Sequence, residues 1–316
     1  MRETTRPFPD VIQNASSAIT GVVGIDKPAG ITSHDVVNRV RRIFNTRRAG
    51  HTGTLDPLAT GVLVICLGQA TRIAEYLASD RKTYVAEVRF GLTTDSQDIS
   101  GGILSQTDTS QVTEEIIREI LPSFTGAIEQ IPPMVSALHH QGKRLYELAR
   151  QGIEVERKPR SVEIHRLELK SFAPGPNAGA VLEVECSTGT YIRTLAADIG
   201  AALRVGAAMA TLRRTRSGTF TISECLTLEA LQQRASEGIL QSVIRSVSEA
   251  LAHWPKLDLD EREHARILYG QSISARTDEV QGMREGDLAA LVVKSGEAVA
   301  IARRRGSELA PIKVFG

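Results

Sequence analysis

The sequence predicts an α+β fold with a second, smaller β-rich unit at its C-terminal end. Short strands and helices follow one another without the regular strand-helix-strand order of a doubly wound sheet. The pattern changes after Trp254-Pro255, where short apolar segments replace helical periodicity. A chain of 316 residues with 41% hydrophobic residues can also bury the core of one large domain or two unequal ones.

The first elements follow from local signals. Residues 1–19 lack periodicity and suit a loose, flexible extension. Residues 24–30 suggest the end of a strand and a turn. Thr32 and Asp35 have the spacing of a capping box that opens a helix. The apolar face of that helix comprises Val36, Val37, Val40, Ile43 and Phe44.

Alternating apolar residues predict the next strands. A loop rich in glycine and proline covers residues 53–61, and strands are expected at residues 62–67 and 82–90. Tyr84 shares one face of the second of these strands with Val88 and Phe90.

The second half of the larger unit mixes helices, a strand and a long excursion. Helices are expected at residues 111–121 and 191–203, with a strand ending at Cys186 between them and an excursion over residues 131–160. The C-terminal unit, over residues 255–316, contains apolar segments at residues 257–259, 288–293 and 298–302.

Composition narrows the class of protein. No apolar run approaches the roughly 18 residues of a membrane span, and the first twenty residues lack a secretory signal, so we expect a cytoplasmic protein. Cys66, Cys186 and Cys225 are odd in number and far apart, which argues against a disulfide framework. Neither the cysteines nor the seven histidines form a metal-ligand spacing, so no metal is expected.

The net charge of +1 conceals basic and acidic blocks. Residues 34–51 contain five arginines and a single acid, Asp35, which gives a local net charge of +4. Residues 204–216 contain four more arginines and no acid. Residues 93–130 hold seven acids against Arg118, a sum of −6. The basic blocks suit phosphate contacts, while the alternative is that each is simply a solvated helix face.

The loop at residues 50–61 is the most informative segment. Asp56 lies between glycines and a proline, where backbone can approach a ligand. The competing interpretation is a turn, because aspartate before proline often initiates one. A Walker-type nucleotide loop is unsupported because Gly-Lys-Ser/Thr is absent, and the loop lacks the aspartate of a pump phosphorylation site because Gly50 stands there.

Five ordered motifs resemble one enzyme family. They are Gly24-Ile25-Asp26-Lys27-Pro28-Ala29-Gly30-Ile31-Thr32-Ser33, the loop Gly50 to Gly61, Lys82-Thr83-Tyr84, Ile131-Pro132-Pro133-Met134-Val135-Ser136-Ala137 with Lys143 to Tyr146, and Gly189-Thr190-Tyr191-Ile192-Arg193-Thr194-Leu195-Ala196. Over residues 22–220 the chain resembles bacterial tRNA pseudouridine synthases of the TruB type, isomerases that act on uridine 55 in the TΨC arm. Its C-terminal unit resembles their small RNA-binding PUA-type domain.

The resemblance implies roles for individual residues. Asp56 becomes the nucleophile, and Arg193 becomes the guanidinium that orients it and keeps it ionised. Tyr84 becomes the aromatic that stacks on the flipped base, although a core aromatic is its competing interpretation. The remaining RNA-binding candidates are His51, which takes part in displacing the target base, the pocket residues Tyr191 and Leu212, and the weaker phosphate contacts Lys27, Arg41 and Arg42.

The resemblance also implies an organisation. Its catalytic domain, a mixed and mainly antiparallel sheet, spans residues 20–250, contains an RNA-gripping insertion at 132–160 and needs no cofactor. The partner is tRNA, and a monomer is the default. Two alternatives remain, a non-catalytic tRNA-binding or tRNA-folding protein and a guide-RNA-dependent pseudouridine synthase. The paired Asp56 and Arg193 argue against the former, and the insertion argues against the latter.

Overall fold

The computed structural model describes residues 19–134, 139–140, 143–144, 153, 155–275 and 282–315. The expected N-terminal extension therefore lies outside the described residues except for Ile19, and so does much of the expected 132–160 insertion. Within the described ranges, none of the helices is long and apolar enough to cross a membrane.

The elements of the larger unit follow one another with short connections. They are β1 (Gly21–Lys27), α1 (Ser33–Ile43), β2 (Ala49–His51), β3 (Thr60–Leu67), α2 (Ala74–Ala78), β4 (Lys82–Phe90), β5 (Leu92–Thr94), β6 (Ile103–Gln106), α3 (Glu114–Ile120), β7 (Gly126–Gln130), β8 (His139–His140), β9 (Lys143–Arg144), β10 (Arg160–Ala173), β11 (Gly179–Cys186), α4 (Ile192–Ala202), β12 (Ala207–Ser217), β13 (Phe220–Thr221), α5 (Leu228–Ser236) and α6 (Val247–Ala250). Short 3-10 helices occupy Gly68–Ile73, Leu121–Phe124, Ile222–Glu224 and Leu240–Val243.

One sheet organises this unit. Its main path among the described residues runs β1-β3-β12-β4-β11-β10-β7, with β2 paired to β3 and β13 paired to β12. The β3–β12 pair is parallel, and the other pairs are antiparallel. The expected α+β class with a mixed, mainly antiparallel sheet is confirmed.

Strand β3 is buried on both faces, which explains its continuous apolar sequence. Leu63, Ile65 and Leu67 pack into the core beneath helices α1, α4 and α5. The alternate residues, Val64 and Cys66 among them, pack into a second core on the opposite face. Because successive side chains of a strand point to opposite faces, a single apolar run serves both cores.

The capping signal before α1 is present as expected. The Thr32 side chain accepts a hydrogen bond from the Asp35 backbone N–H, and the Asp35 carboxylate accepts one from the Thr32 backbone. Val36, Val37 and Val40 are buried on the inner face of the helix.

The C-terminal unit forms its own sheet. Its elements are β14 (Lys256–Asp258), α7 (Glu261–Leu268), β15 (Ile273–Ser274), β16 (Leu288–Val292), β17 (Ala298–Arg305) and β18 (Glu308–Val314). The strand order is β14-β16-β17-β18-β15. This sheet packs on the larger unit, where Ile301 and Phe315 share the second core with Val64, and Lys313 forms an ion pair with Glu75 at 2.9 Å.

Some local expectations need correction. Strand β1 is seven residues long, because Gly21–Asp26 also pair with β3, whereas the sequence suggested only a strand end near Gly24. The helix expected at residues 111–121 is the shorter α3, since Thr113 caps it and the backbone tightens to 3-10 geometry at Leu121. Within the expected excursion, His139 and His140 form strand β8 and pair with β9.

Candidate active site

The loop between β2 and β3 is anchored on both sides by backbone contacts. The Leu55 N–H donates to Ser33 Oγ at 2.8 Å, and that hydroxyl donates back to the Leu55 carbonyl at 3.0 Å. The Gly30 N–H donates to the Pro57 carbonyl at 2.8 Å. With Leu55 buried beneath it, the loop holds Asp56 in a defined place at the rim of the sheet.

Asp56 and Arg193 meet as the sequence motifs imply. Arg193 Nε lies 3.0 Å from Asp56 Oδ2, and the Arg193 side chain is 4% exposed while that of Asp56 is 40% exposed. Arg193 lies in the first turn of α4. The helix therefore presents a buried guanidinium to a carboxylate that solvent and a ligand can reach.

A second carboxylate holds the other end of the Arg193 guanidinium. Arg193 Nη1 donates to the Ser96 carbonyl at 3.0 Å and lies 3.8 Å from Asp98 Oδ2. Asp98 is itself fixed, because its Oδ1 accepts hydrogen bonds from the Ser96 hydroxyl at 2.9 Å and the Ser100 backbone at 2.9 Å. The planar guanidinium thus spans two acids, which restricts the direction in which Nε faces Asp56.

These groups open onto a cavity of about 270 Å³. Its lining contains the predicted site residues Asp56, Tyr84, Tyr191, Arg193 and Leu212, together with Gly53, Thr54, Leu55, Lys82, Thr188, Gly189, Thr190, Ile192 and Arg214. The cavity lies just below the roughly 300 Å³ at which pockets for drug-sized ligands begin, so it has room for a single base.

Tyr84 belongs to the core and to the cavity at once. It is 7% exposed and packs among the apolar residues of the larger core. It also lines the cavity that contains Asp56. Burial raises the pKa of the Tyr84 phenol, and the neighbouring Arg214 guanidinium acts in the opposite direction.

Two buried cations line the same cavity. Lys82 Nζ donates to the carbonyls of Ala78 and Asp80, both at 2.7 Å. Burial, with a smaller effect of Arg214, lowers the pKa of Lys82 to about 8. Arg214 is 1% exposed and donates from Nη2 to the Gly53 carbonyl at 3.0 Å.

Lys27 requires a correction. The sequence suggested a phosphate contact, yet its side chain is completely buried. Its ammonium donates to the carbonyls of Ala59 at 2.7 Å, Pro28 at 2.9 Å and Pro57 at 3.1 Å. Burial lowers the pKa of Lys27 to about 8. An ammonium enclosed in this way cannot reach a phosphate at the surface. Lys27 instead stabilises the backbone of the loop through these hydrogen bonds.

The other expected RNA contacts lie outside the cavity lining. His51 is half-buried on β2, where burial, followed by the charge of Arg214, lowers its pKa. Its Nδ1 has no hydrogen-bond partner among the residues described. Arg42 is exposed at the end of α1. Arg41 is half-buried and donates to the Ala49 carbonyl at 2.8 Å, so part of its hydrogen-bonding capacity is used within the protein.

Sequence reasoning missed several residues that shape the site. Asp98 lies in an acidic stretch, and its burial beside Arg193 depends on a contact across 95 positions of the chain. Gln130 is buried and binds the backbone of Tyr191 twice, accepting from its N–H at 2.9 Å and donating to its carbonyl at 3.2 Å. Arg214 appeared as one member of a basic block. A buried position for each would have required knowledge of the strand pairing.

Sequence profiles match most of the larger unit. A profile described as TruB family pseudouridylate synthase (N terminal domain) matches residues 41–192, and one described as tRNA pseudouridylate synthase B C-terminal domain matches residues 193–252. The chain is 48% identical over 262 residues to a tRNA pseudouridine synthase B of Symbiobacterium thermophilum, covering 83% of this chain and 86% of the relative. It is 42% identical over 300 residues to that of Dehalococcoides mccartyi, covering 94% and 97%.

Solved structures share the architecture. One, described as a crystal structure of a Cbf5-Nop10-Gar1 complex, superposes with a TM-score of 0.72 at 30% identity over 94% of this chain and 85% of the other. Another, described as an H/ACA RNP bound to a substrate RNA containing 2′-deoxyuridine, gives a TM-score of 0.70 at 28% identity over the same shares.

Proposed function

We propose that this chain, which belongs to the TruB family of pseudouridylate synthases, converts the uridine at position 55 in the TΨC arm of tRNA into pseudouridine with Asp56 as the nucleophile. That it is an enzyme of the tRNA pseudouridine synthase type is shown by relatives 42–48% identical over most of the chain. The choice of uridine and the roles of the side chains are the proposal.

The observation that carries the proposal is the carboxylate of Asp56 in its setting. It is partly exposed at the mouth of a cavity sized for one base and lies 3.0 Å from a buried guanidinium. The contact with Arg193 holds the carboxylate in one orientation, which a nucleophile requires. Solvent exposure leaves one side of the carboxylate open to a substrate.

The reaction needs groups of this kind and no redox equivalent. Uridine and pseudouridine are isomers: the bond from N1 to C1′ breaks, the uracil turns, a bond from C5 to C1′ forms, the C5 proton leaves and N1 gains a proton. In the proposed mechanism Asp56 assists detachment of the base. Arg193 holds the carboxylate in a fixed orientation throughout, so its contribution requires no proton transfer.

The cavity supports base flipping. A uridine within a folded arm can enter the cavity beside the carboxylate only after leaving its stack. Tyr84 offers an aromatic surface to the extruded base, and Leu212 and Tyr191 line the same cavity. Stacking in this enclosure offsets part of the unstacking cost.

Exposed cations outside the cavity suit the rest of the RNA. Arg39, Arg42, Arg47 and Arg48 are exposed on and after α1, which leads into the loop that carries Asp56. In the proposal these arginines contact phosphates, the 132–160 insertion grips the arm, and the C-terminal sheet domain adds contacts of its own.

A guide-RNA-dependent synthase is the second candidate, favoured by the fold likeness to the Cbf5 and H/ACA structures at 28–30% identity. The higher identity to tRNA pseudouridine synthase B relatives supports action on tRNA by the protein alone. The two candidates differ in a simple requirement, since the guided enzyme needs a second RNA.

The test is an unmodified tRNA transcript incubated with the purified protein and no other RNA, followed by chemical mapping of pseudouridine. We expect one modified uridine in the TΨC loop, the same product on an isolated TΨC stem-loop, and none when cytidine replaces that uridine. An unrelated hairpin of equal length is the matched control. Equal modification of the unrelated hairpin would overturn the proposed specificity, and a strict need for added RNA would favour the guided candidate.

A further inference from the structure

Arg214 is a buried cation whose charge is met by neutral oxygens. Its side chain is the largest of those that are fully buried among the described residues. Within the same part of the chain, no carboxylate lies within 4 Å of its guanidinium, whereas Nε donates to the Val62 carbonyl at 2.6 Å. Burying a guanidinium without a carboxylate partner is costly, which suggests that Arg214 does more than fill space in the core.

The same guanidinium holds the start of the loop that carries Asp56. Nη2 donates to the Gly53 carbonyl at 3.0 Å, and Nη1 lies 3.5 Å from the Thr54 carbonyl at the limit of a hydrogen bond. A methyl group added to Gly53 would stand 3.6 Å from Arg214 Nη1. The loop backbone therefore rests directly on the guanidinium.

The sheet places Tyr84 beside this cation. Arg214 on β12 and Tyr84 on β4 are direct cross-strand partners, so their side chains rise from the same face about 5 Å apart at Cβ. The guanidinium is near enough to the Tyr84 phenol to oppose the effect of burial on the pKa of that phenol. Tyr84, Asp56 and Arg214 all line the one cavity.

We propose that Arg214 is a positioning residue that locks the Tyr84 ring to the Gly53–Thr54 segment and so fixes the distance between the stacking surface and the Asp56 carboxylate. This inference rests on the proposed function, because Tyr84 and Asp56 act together only if a base lies between them. A rigid planar fork suits the role, since it binds several oxygens in fixed directions, which an ammonium on a flexible stem cannot do.

The test combines two conservative variants with one neighbouring control. Arg214→Lys keeps the positive charge but loses the planar guanidinium with its fixed donors. Arg214→Met keeps a long side chain but loses the charge and the donors. Arg213→Met is the matched control for the tyrosine measurement, because Arg213 immediately precedes Arg214 on β12 and pairs with Asp26 at 2.8 Å instead. The RNA-free proteins are labelled with carbon-13 on the tyrosine rings, and the Tyr84 resonance is assigned by its loss in Tyr84→Phe.

In the NMR measurement we expect Arg214→Lys and Arg214→Met to move the Tyr84 resonance and to raise the pKa of its phenol, since a cation that favours phenolate is displaced or lost. Arg213→Met should leave both unchanged. If Arg214→Met fails to fold, Arg214→Lys alone decides the point. An unmoved Tyr84 resonance in a folded Arg214 variant would overturn the inference.

Single-turnover rates supply the functional readout. We expect Arg214→Lys to lower the rate of pseudouridine formation by about 10- to 100-fold, the loss expected for one charge-assisted hydrogen bond, with tRNA affinity changed less than about threefold. In a Tyr84→Phe background the same substitution should cost less than about threefold, because its partner is already absent. Equal losses in both backgrounds would indicate a purely structural role and overturn the inference. A wild-type protein that forms no pseudouridine would overturn the proposed function alone, since the NMR arm uses no RNA.

Discussion

Replacing Arg193 by lysine tests how the guanidinium supports Asp56. The substitution retains a positive charge between Asp56 and Asp98 but removes Nε, the nitrogen that lies 3.0 Å from Asp56. It also removes the fork that joins this contact to the Ser96 carbonyl. A lysine ammonium can approach one of these oxygens at a time, so Asp56 should keep its charge while losing its fixed direction.

The expected magnitude follows from one lost charge-assisted hydrogen bond. Such a bond contributes about 1.5–3 kcal/mol, which at 1.36 kcal/mol per factor of ten corresponds to a rate lower by about 10- to 150-fold. Asp56 is 40% exposed, so water compensates part of the loss and the lower half of this range applies. Affinity for tRNA should change less than about threefold, because Arg193 is buried and presents little surface to bound RNA.

The assay is single-turnover pseudouridine formation together with an independent binding measurement on the same tRNA. Arg166→Lys is the matched control, since Arg166 lies on β10 and pairs with Glu168 at 3.0 Å and with Glu183. That control should retain the wild-type rate and affinity. Near-normal turnover by Arg193→Lys would refute the reasoning, and so would a loss confined to binding.

Two further predictions concern buried Lys27 and the exposed arginines Arg47 and Arg48. Lys27→Met should lower the free energy of unfolding by about 1–3 kcal/mol at pH 7, because three carbonyls beneath the loop lose their hydrogen-bond donor. Since burial lowers the folded-state pKa of Lys27 from 10.5 to about 8, the unfolded chain binds more protons between these values, and the wild-type advantage should widen from pH 8 to 10.5 in urea titrations. A gap that narrows would contradict this sign. Replacing exposed Arg47 and Arg48 by glutamine should reduce the slope of log affinity against log salt by about 1–2, unlike Arg166→Gln, and an unchanged slope would exclude both as phosphate contacts.

Local sequence signals predicted much of the sheet and of one helix. Strand β4 has the bounds expected from its alternating pattern, because Tyr84, Ala86, Val88 and Phe90 do pack on one buried face. The capping box at Thr32 is also local, as it needs only residues three apart. Such features depend on interactions between residues close together in the sequence, so they can be predicted from a single sequence.

The site required contacts between distant segments. Motif resemblance brought Asp56 and Arg193 together, and the structure places them 3.0 Å apart. Composition could not show that Lys27 is enclosed by carbonyls, since a lysine after a turn suits a surface equally well. Composition also could not distinguish Arg214 from Arg216, two arginines of the same basic block. Arg214 is buried and Arg216 is exposed, because the register between β4 and β12 decides which side chains face inward.

The most direct test of the central claim is single-turnover modification of tRNA by Asp56→Asn. The amide keeps the size of the side chain and removes the charge and the nucleophile, so the fold and the cavity should persist. We expect tRNA binding within about threefold of wild type, because the phosphate contacts lie elsewhere, and no pseudouridine at the TΨC uridine. Formation of pseudouridine by Asp56→Asn at a rate near that of the wild type would remove Asp56 from the nucleophile role and contradict the account.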